Sequence, residues 1–169
     1  GLYVLPFSLL SREASAMVLE QVEPDLLLVD EAYHLRNPDS AMTKRVNRYR
    51  KASGCQFVAV AGSVSDKKIE DYAHLVQWGL KDLSPLPHNR GLLTAWSSVI
   101  STGAQAVGST SISIWPLLTW ARENFPENKE LHGEEVSSFR EAYRLRLSTA
   151  PGMATSDHHA LGTSLVYSN

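Results

Sequence analysis

The sequence predicts an α/β fold, a parallel sheet flanked by helices, with a mainly helical C-terminal part. Two apolar runs of strand length carry that expectation, LLLV at residues 26–29 and CQFVAVA at 55–61, each set between stretches of helical periodicity. Neither run alternates apolar with polar, which is the pattern of an interior parallel strand covered on both faces. Length and composition agree: 169 residues, 43% apolar and 20% charged, suit one folded domain with a core of its own.

Taken in order, LYVLPF is a short strand, and Ser8 or Ser11 caps a helix over SREASAMVLEQV. Glu23-Pro24-Asp25 stops that helix, because the residue before a proline is biased away from helical geometry. LLLVD is then the first buried strand. Asn37-Pro38-Asp39-Ser40 forms a turn and starts a basic helix, AMTKRVNRYRKA, which Gly54 ends. CQFVAVA is the second buried strand, closed by Gly62-Ser63. The next helix, DKKIEDYAHLVQWGLKD, carries Ile69, Tyr72, Ala73, Val76 and Leu80 as one apolar stripe.

Past Leu83 the pattern changes. SPLP is a loop, RGLLTAWSSVI a helix, and TGAQAVGSTS a small-residue linker. WPLLTWARENF and EEVSSFREAYRLRL are helices, the second with Val136, Phe139, Tyr143 and Leu147 on one side. APGMATSDHHALGTSLVYS is irregular, with SLVYS as a late strand. Residues 1–87 and 88–169 are expected to share one domain, the second part a helical extension or insertion.

Charge and cysteine usage narrow the function classes. A net charge of −2 gives no global attraction to nucleic acid or acidic membranes, so any such binding must come from a local patch. The single cysteine, Cys55, excludes an intrachain disulfide and is expected as a buried structural thiol in a reducing, cytoplasmic setting. No apolar stretch approaches the roughly 18 to 20 residues that span a bilayer, and no membrane partner is expected. A secretory leader's basic region is absent from the opening residues.

Asp30 and Glu31 end the first apolar run. At the carboxyl edge of a parallel sheet, where ligands of open α/β folds collect, an aspartate can hold Mg²⁺ through water. The adjoining glutamate can orient or deprotonate a water attacking a terminal phosphate. The alternative is plain: the two carboxylates open a surface turn and cap the segment after it.

The stretch Asp30-Glu31-Ala32-Tyr33-His34-Leu35-Arg36-Asn37-Pro38-Asp39-Ser40 resembles motif II of superfamily-two (DEAD/DEAH-type) helicases. It is most similar to Swi/Snf-type translocases, which carry Asp-Glu-Ala-His, a basic residue, Leu, a basic residue, Asn, two variable positions and Ser. Ala61-Gly62-Ser63 resembles motif III, IEDYAHLVQWGL the helix after it, and LPFSLLSR the segment before motif II. The later segments SPLP, FREAYRLRL and STAPGMATS resemble phage-encoded members. The resemblance covers about residues 2–87. It implies a partial RecA-like domain, with Asp30 as the magnesium acid of Walker B, Glu31 as the catalytic base and Ser63 as the coupling hydroxyl. ATP and Mg²⁺ are the implied cofactors. The implied partners are nucleic acid, chiefly double-stranded DNA, and a second RecA-like domain. Tyr33 departs from the family's histidine, Ser63 from its threonine and Val64 from a frequent proline.

No phosphate loop precedes Asp30. GAQAVGST, residues 103–110, has related glycine spacing but Ser109 in place of lysine, comes after the acidic motif and is expected to be linker. The chain is therefore expected to be the later part of a first motor domain, inactive alone. The alternative is a catalytically dead remnant of such a domain that works as a binding or inhibitor protein.

Lys44, Arg45, Arg48, Arg50 and Lys51 could neutralise phosphates, or could simply solvate their helix. Arg140, Arg144 and Arg146 pose the same choice. His158 and His159 lack ligand partners at metal spacing and are expected as surface residues. Trp78, Trp96, Trp115 and Trp120 occupy helical apolar positions and are expected in the core.

Overall fold

Strand and helix alternate as far as the second strand, and the described elements after it are helical. The computed structural model describes residues 1–61, 68–102 and 109–154, with backbone alone for 102 and 109–113. Residues 1–6 carry no regular structure, so LYVLPF is not a strand. An isolated extended segment has no ladder to satisfy its N–H and C=O groups, and Leu2 and Val4 stay exposed.

The single helix expected over residues 11–22 is replaced by three short turns. These are α1 (Phe7–Ser11), a 3₁₀ turn (Glu13–Ser15) and α2 (Val18–Val22). Arg12 breaks the run by adopting extended geometry. The cause is tertiary: the Arg45 guanidinium, from the helix Ala41–Ser53, takes the carbonyls of Leu10 and Arg12 at 2.6 Å each. Glu23 closes α2 in the left-handed region, and Pro24 comes next, a common way to stop a helix.

β1 (Leu26–Val29) and β2 (Gln56–Ala59) pair in parallel, with Leu26 opposite Gln56 and Leu28 opposite Val58. Between them runs α3 (Ala41–Ser53), the crossover a parallel pair requires. Ser40 caps it by accepting from the Thr43 N–H at 3.1 Å, and Gly54 ends it at φ 69°. After the second strand comes α4 (Ile69–Leu80). Leu27, Val29 and Phe57 face the helices: the Trp78 ring of α4 meets Phe57 edge-on at 5.4 Å and lies beneath Arg50 of α3.

Among the described residues nothing covers the opposite face. Leu26, Leu28, Val58 and Val60 are exposed, so the expectation of strands covered on both faces is corrected. The described helices that meet the strands lie on one side of them, so the apolar side chains that point to the other side stay exposed. The parallel α/β arrangement itself holds, reduced to a small two-stranded sheet; a full RecA-like sheet is not formed by the described residues.

α5 (Arg90–Thr102), α6 (Ser109–Asn124) and α7 (Val136–Ser148) pack on one another and, through α5, on α4. Ser109 and Thr110, expected as linker, begin α6; residues 103–108 lie outside the described residues. Ile114, Leu117, Leu118 and Ala121 recur at helical spacing, and all are buried. Phe139 of α7 meets Trp115 edge-on at 5.6 Å, and the Tyr72 and Tyr143 hydroxyls bridge α4 to α7 at 2.5 Å. Trp78 and Trp96 are buried, while Trp115 and Trp120 pack against the core, as their spacing predicts. Cys55 is buried. The late strand SLVYS, and His158 with His159, lie outside the described residues. Among the described residues no helix is long and apolar enough to cross a membrane.

Candidate active site

The acidic turn sits where β1 stops. Val60 donates its N–H to the Val29 carbonyl, and Ala32 donates to the Val60 carbonyl, each at 2.8 Å, so the ladder carries one step past both strands. Between those bonds the chain must change direction. Asp30 accepts the Glu31 N–H on Oδ1 at 2.9 Å, and Glu31 adopts φ 50°, ψ 48°. A 3₁₀ turn, Ala32–Leu35, comes next and anchors itself by burying Ala32 and Leu35. Both carboxylate residues are exposed, and neither has an ion-pair partner among the described residues.

That geometry brings Asp30 and Glu31 together on the carboxyl edge of the sheet, as expected. Ser63 lies outside the described residues. His34, next to Tyr33, stays at the surface and stacks between Phe7, at 4.6 Å, and Tyr33, at 4.3 Å. Asn37 accepts the Asp39 N–H at 2.9 Å, a side-chain-closed turn that delivers the chain to the Ser40 cap.

Two arginines of the basic helix have partners within the chain. Arg45 holds Leu10 and Arg12, while Arg48 pairs with Glu20 at 2.7 Å and also bonds the Ala16 carbonyl. Both guanidinium groups therefore fasten the N-terminal segment onto α3. Lys44 lies 3.4 Å from Asp39, an exposed pair of small energetic weight. In the second cluster Arg140 caps the Ile100 carbonyl, Arg144 pairs with Glu141 and Arg146 lies over Trp120. Arg140 and Arg146 thus link α7 to α5 and α6, while the Arg144 pair lies within α7.

Sequence reasoning missed His74. Its Nε2 lies 2.9 Å from the Leu35 carbonyl, so the ring nitrogen donates, and burial holds its pKa below the ordinary value, favouring the neutral ring. The one available signal was its place four residues before Trp78, beside the apolar stripe of α4. The ring indeed meets Trp78 edge-on at 5.1 Å.

Among the described residues no group of three or more His, Cys, Asp or Glu side chains is arranged to hold a metal ion. The donors present, two carboxylates on one turn, are hard oxygens. They match a Mg²⁺ that keeps its water and shares phosphate ligands, and they do not make a closed protein site. An open groove of about 680 Å³ lies at the amino end of the strands, lined by Glu23, Asp25, Tyr49, Ser53 and Gln56. It is separated from the acidic turn by the length of the sheet. Comparisons with protein-family models, curated proteins and solved structures return no match for this chain.

Proposed function

We propose that the chain is a segment of a nucleic-acid-dependent ATPase, a Swi/Snf-like helicase or translocase, with Asp30 and Glu31 as its catalytic acids. The observation that carries this reading is the acidic turn: two exposed carboxylates at the carboxyl end of a parallel strand, the second held in the left-handed region. Asp30 would hold magnesium through water. Bound there with ATP, the ion supplies charge neutralisation at the terminal phosphates. Glu31 orients the attacking water and takes its proton. Ser63 is the hydroxyl that couples this chemistry to movement on duplex DNA.

The bare face of the sheet supports the wider context. Parallel sheets bury both faces, and this one leaves four aliphatic side chains uncovered. A motor would cover it with further strands and helices, and would add the phosphate loop and the second RecA-like domain with its arginine finger. Without the loop's lysine and amides, these 169 residues are expected to turn over no ATP. Turnover by the purified chain, abolished by Glu31→Gln, would overturn that expectation.

One observation favours a second reading, a helicase-domain remnant acting as a binding or inhibitor protein. Arg45 and Arg48 are committed to backbone carbonyls and Glu20, so the basic helix offers phosphates less than its composition promises. The intact mass of the native protein separates the two. A mass several times 18.7 kDa supports the motor segment; a mass near 18.7 kDa supports the remnant and a search for its partner.

A further inference from the structure

We propose that His74 is the positioning residue of the acidic turn, tying Asp30 and Glu31 to α4 by donating from Nε2 to the Leu35 carbonyl. The inference rests on reading that turn as the functional site. Its starting point is a conformation that needs an explanation. Glu31 lies in the left-handed region, which costs a residue with a Cβ about 1–2 kcal/mol. Glu23 and Lys81 also have positive φ, but each comes directly after an α-helix, where a residue of that kind ends the ladder. Glu31 ends no helix. Such strain persists only where the surroundings over-determine it.

Four hydrogen bonds do so here. At the near end Asp30 Oδ1 accepts the Glu31 N–H, and Ala32 donates to the Val60 carbonyl. At the far end the carbonyl of Leu35, a residue 0% exposed, receives two side-chain donors. Thr43 Oγ1 reaches it at 3.3 Å from α3, and His74 Nε2 at 2.9 Å from α4. Thr43 closes a local loop, eight residues along the chain. His74 comes from 39 residues away and links the turn to the helix after β2.

The ring is itself fixed. It meets Trp78 edge-on, and Trp78 is wedged between Phe57 of β2 and Arg50 of α3. His74 cannot swing away from Leu35 without disturbing that contact set. A packing role would need only the ring; a positioning role needs the proton on Nε2.

The test is native-state hydrogen exchange at the Ala32 and His34 amides, whose acceptors are the Val60 and Glu31 carbonyls. The amide of Leu118 in α6 serves as reference for global opening. His74→Phe keeps a ring and removes the donor; it is expected to speed exchange at Ala32 and His34 about tenfold relative to Leu118. His74→Gln keeps an N–H donor and is expected to restore most of the protection. Unchanged exchange in His74→Phe, or equal acceleration at Leu118, would overturn the proposal. Should the variants not fold, ¹⁵N spectra of the wild-type imidazole decide: a proton on Nε2 supports the proposal, and one on Nδ1 alone refutes it. Neither readout involves nucleotide, so the positioning role can fail while the ATPase reading stands, and the reverse.

Discussion

Leu28 and Leu118 are the same side chain in two different settings: the first is 64% exposed on β1, the second 0% exposed on α6. The contrast holds across the regions around them. From α4 to α7, apolar stripes find partners on neighbouring helices, and Phe139, Leu118, Ile114 and Ala121 are sealed. In residues 1–61, helices cover one face of the sheet and nothing described covers the other. A helix needs one partner for its single apolar stripe, whereas an all-apolar parallel strand needs one on each face. The helical region meets its requirement within the chain; the sheet meets half of its own.

The largest expected effect comes from testing that contrast directly. Phe139→Ala should cost about 3–5 kcal/mol in urea unfolding, because it opens a cavity among α5, α6 and α7. Leu28→Ala should stay within about 0.5 kcal/mol, since it removes little buried surface. Equal costs would mean that the bare face is covered in solution, for example by self-association.

A smaller effect separates the regions by pH. Burial pushes the Tyr72 hydroxyl up to about 12, and burial likewise holds Tyr143 well above 10. Both pKa values are raised in the folded state, so their contribution is intact below pH 10, the ordinary value, and disappears as pH climbs toward 12. The loss is on the order of 2 kcal/mol. It should register first in the packing of α4 against α7, tracked through near-ultraviolet dichroism. Tyr143→Phe leaves Tyr72 buried and takes away the hydrogen bond that lowers its pKa, so the Tyr72 transition should persist and move to higher pH.

The smallest effect has the opposite sign. Glu31→Gly removes a Cβ from the left-handed region and should stabilise the chain by up to about 1 kcal/mol, read as a shift of the unfolding midpoint. No gain would mean that the glutamate is not strained, and the case for a carboxylate retained at a structural cost would weaken.

Much of the scaffold was legible because local rules act within one element. Ser40 and Gly54 mark the ends of α3 through capping and left-handed geometry. The 3.6-residue stripes locate α4 and α7, and LLLV and CQFVAVA locate the strands. The acidic pair was legible for the same reason, since the end of an apolar run is also the end of a strand. The segment before Glu23 was not, because its helix is interrupted where Arg45, 33 residues away, takes the Arg12 carbonyl. The partners of Arg45 and Arg48 in the N-terminal segment were likewise out of reach of the sequence, because they lie about 30 residues away along the chain.

By itself, then, the sequence determined the periodicities, caps and strand runs, and with them the parallel pairing of β1 and β2 and two carboxylates at its carboxyl edge. Tertiary structure alone decided that the described residues leave one sheet face uncovered, that Arg45 and Arg48 clip the N-terminal segment to α3, and that His74 reaches the Leu35 carbonyl. The physical reason is range. Backbone geometry and side-chain spacing act over a few residues, whereas burial and hydrogen bonding to a distant carbonyl depend on which elements meet, and no single segment encodes that.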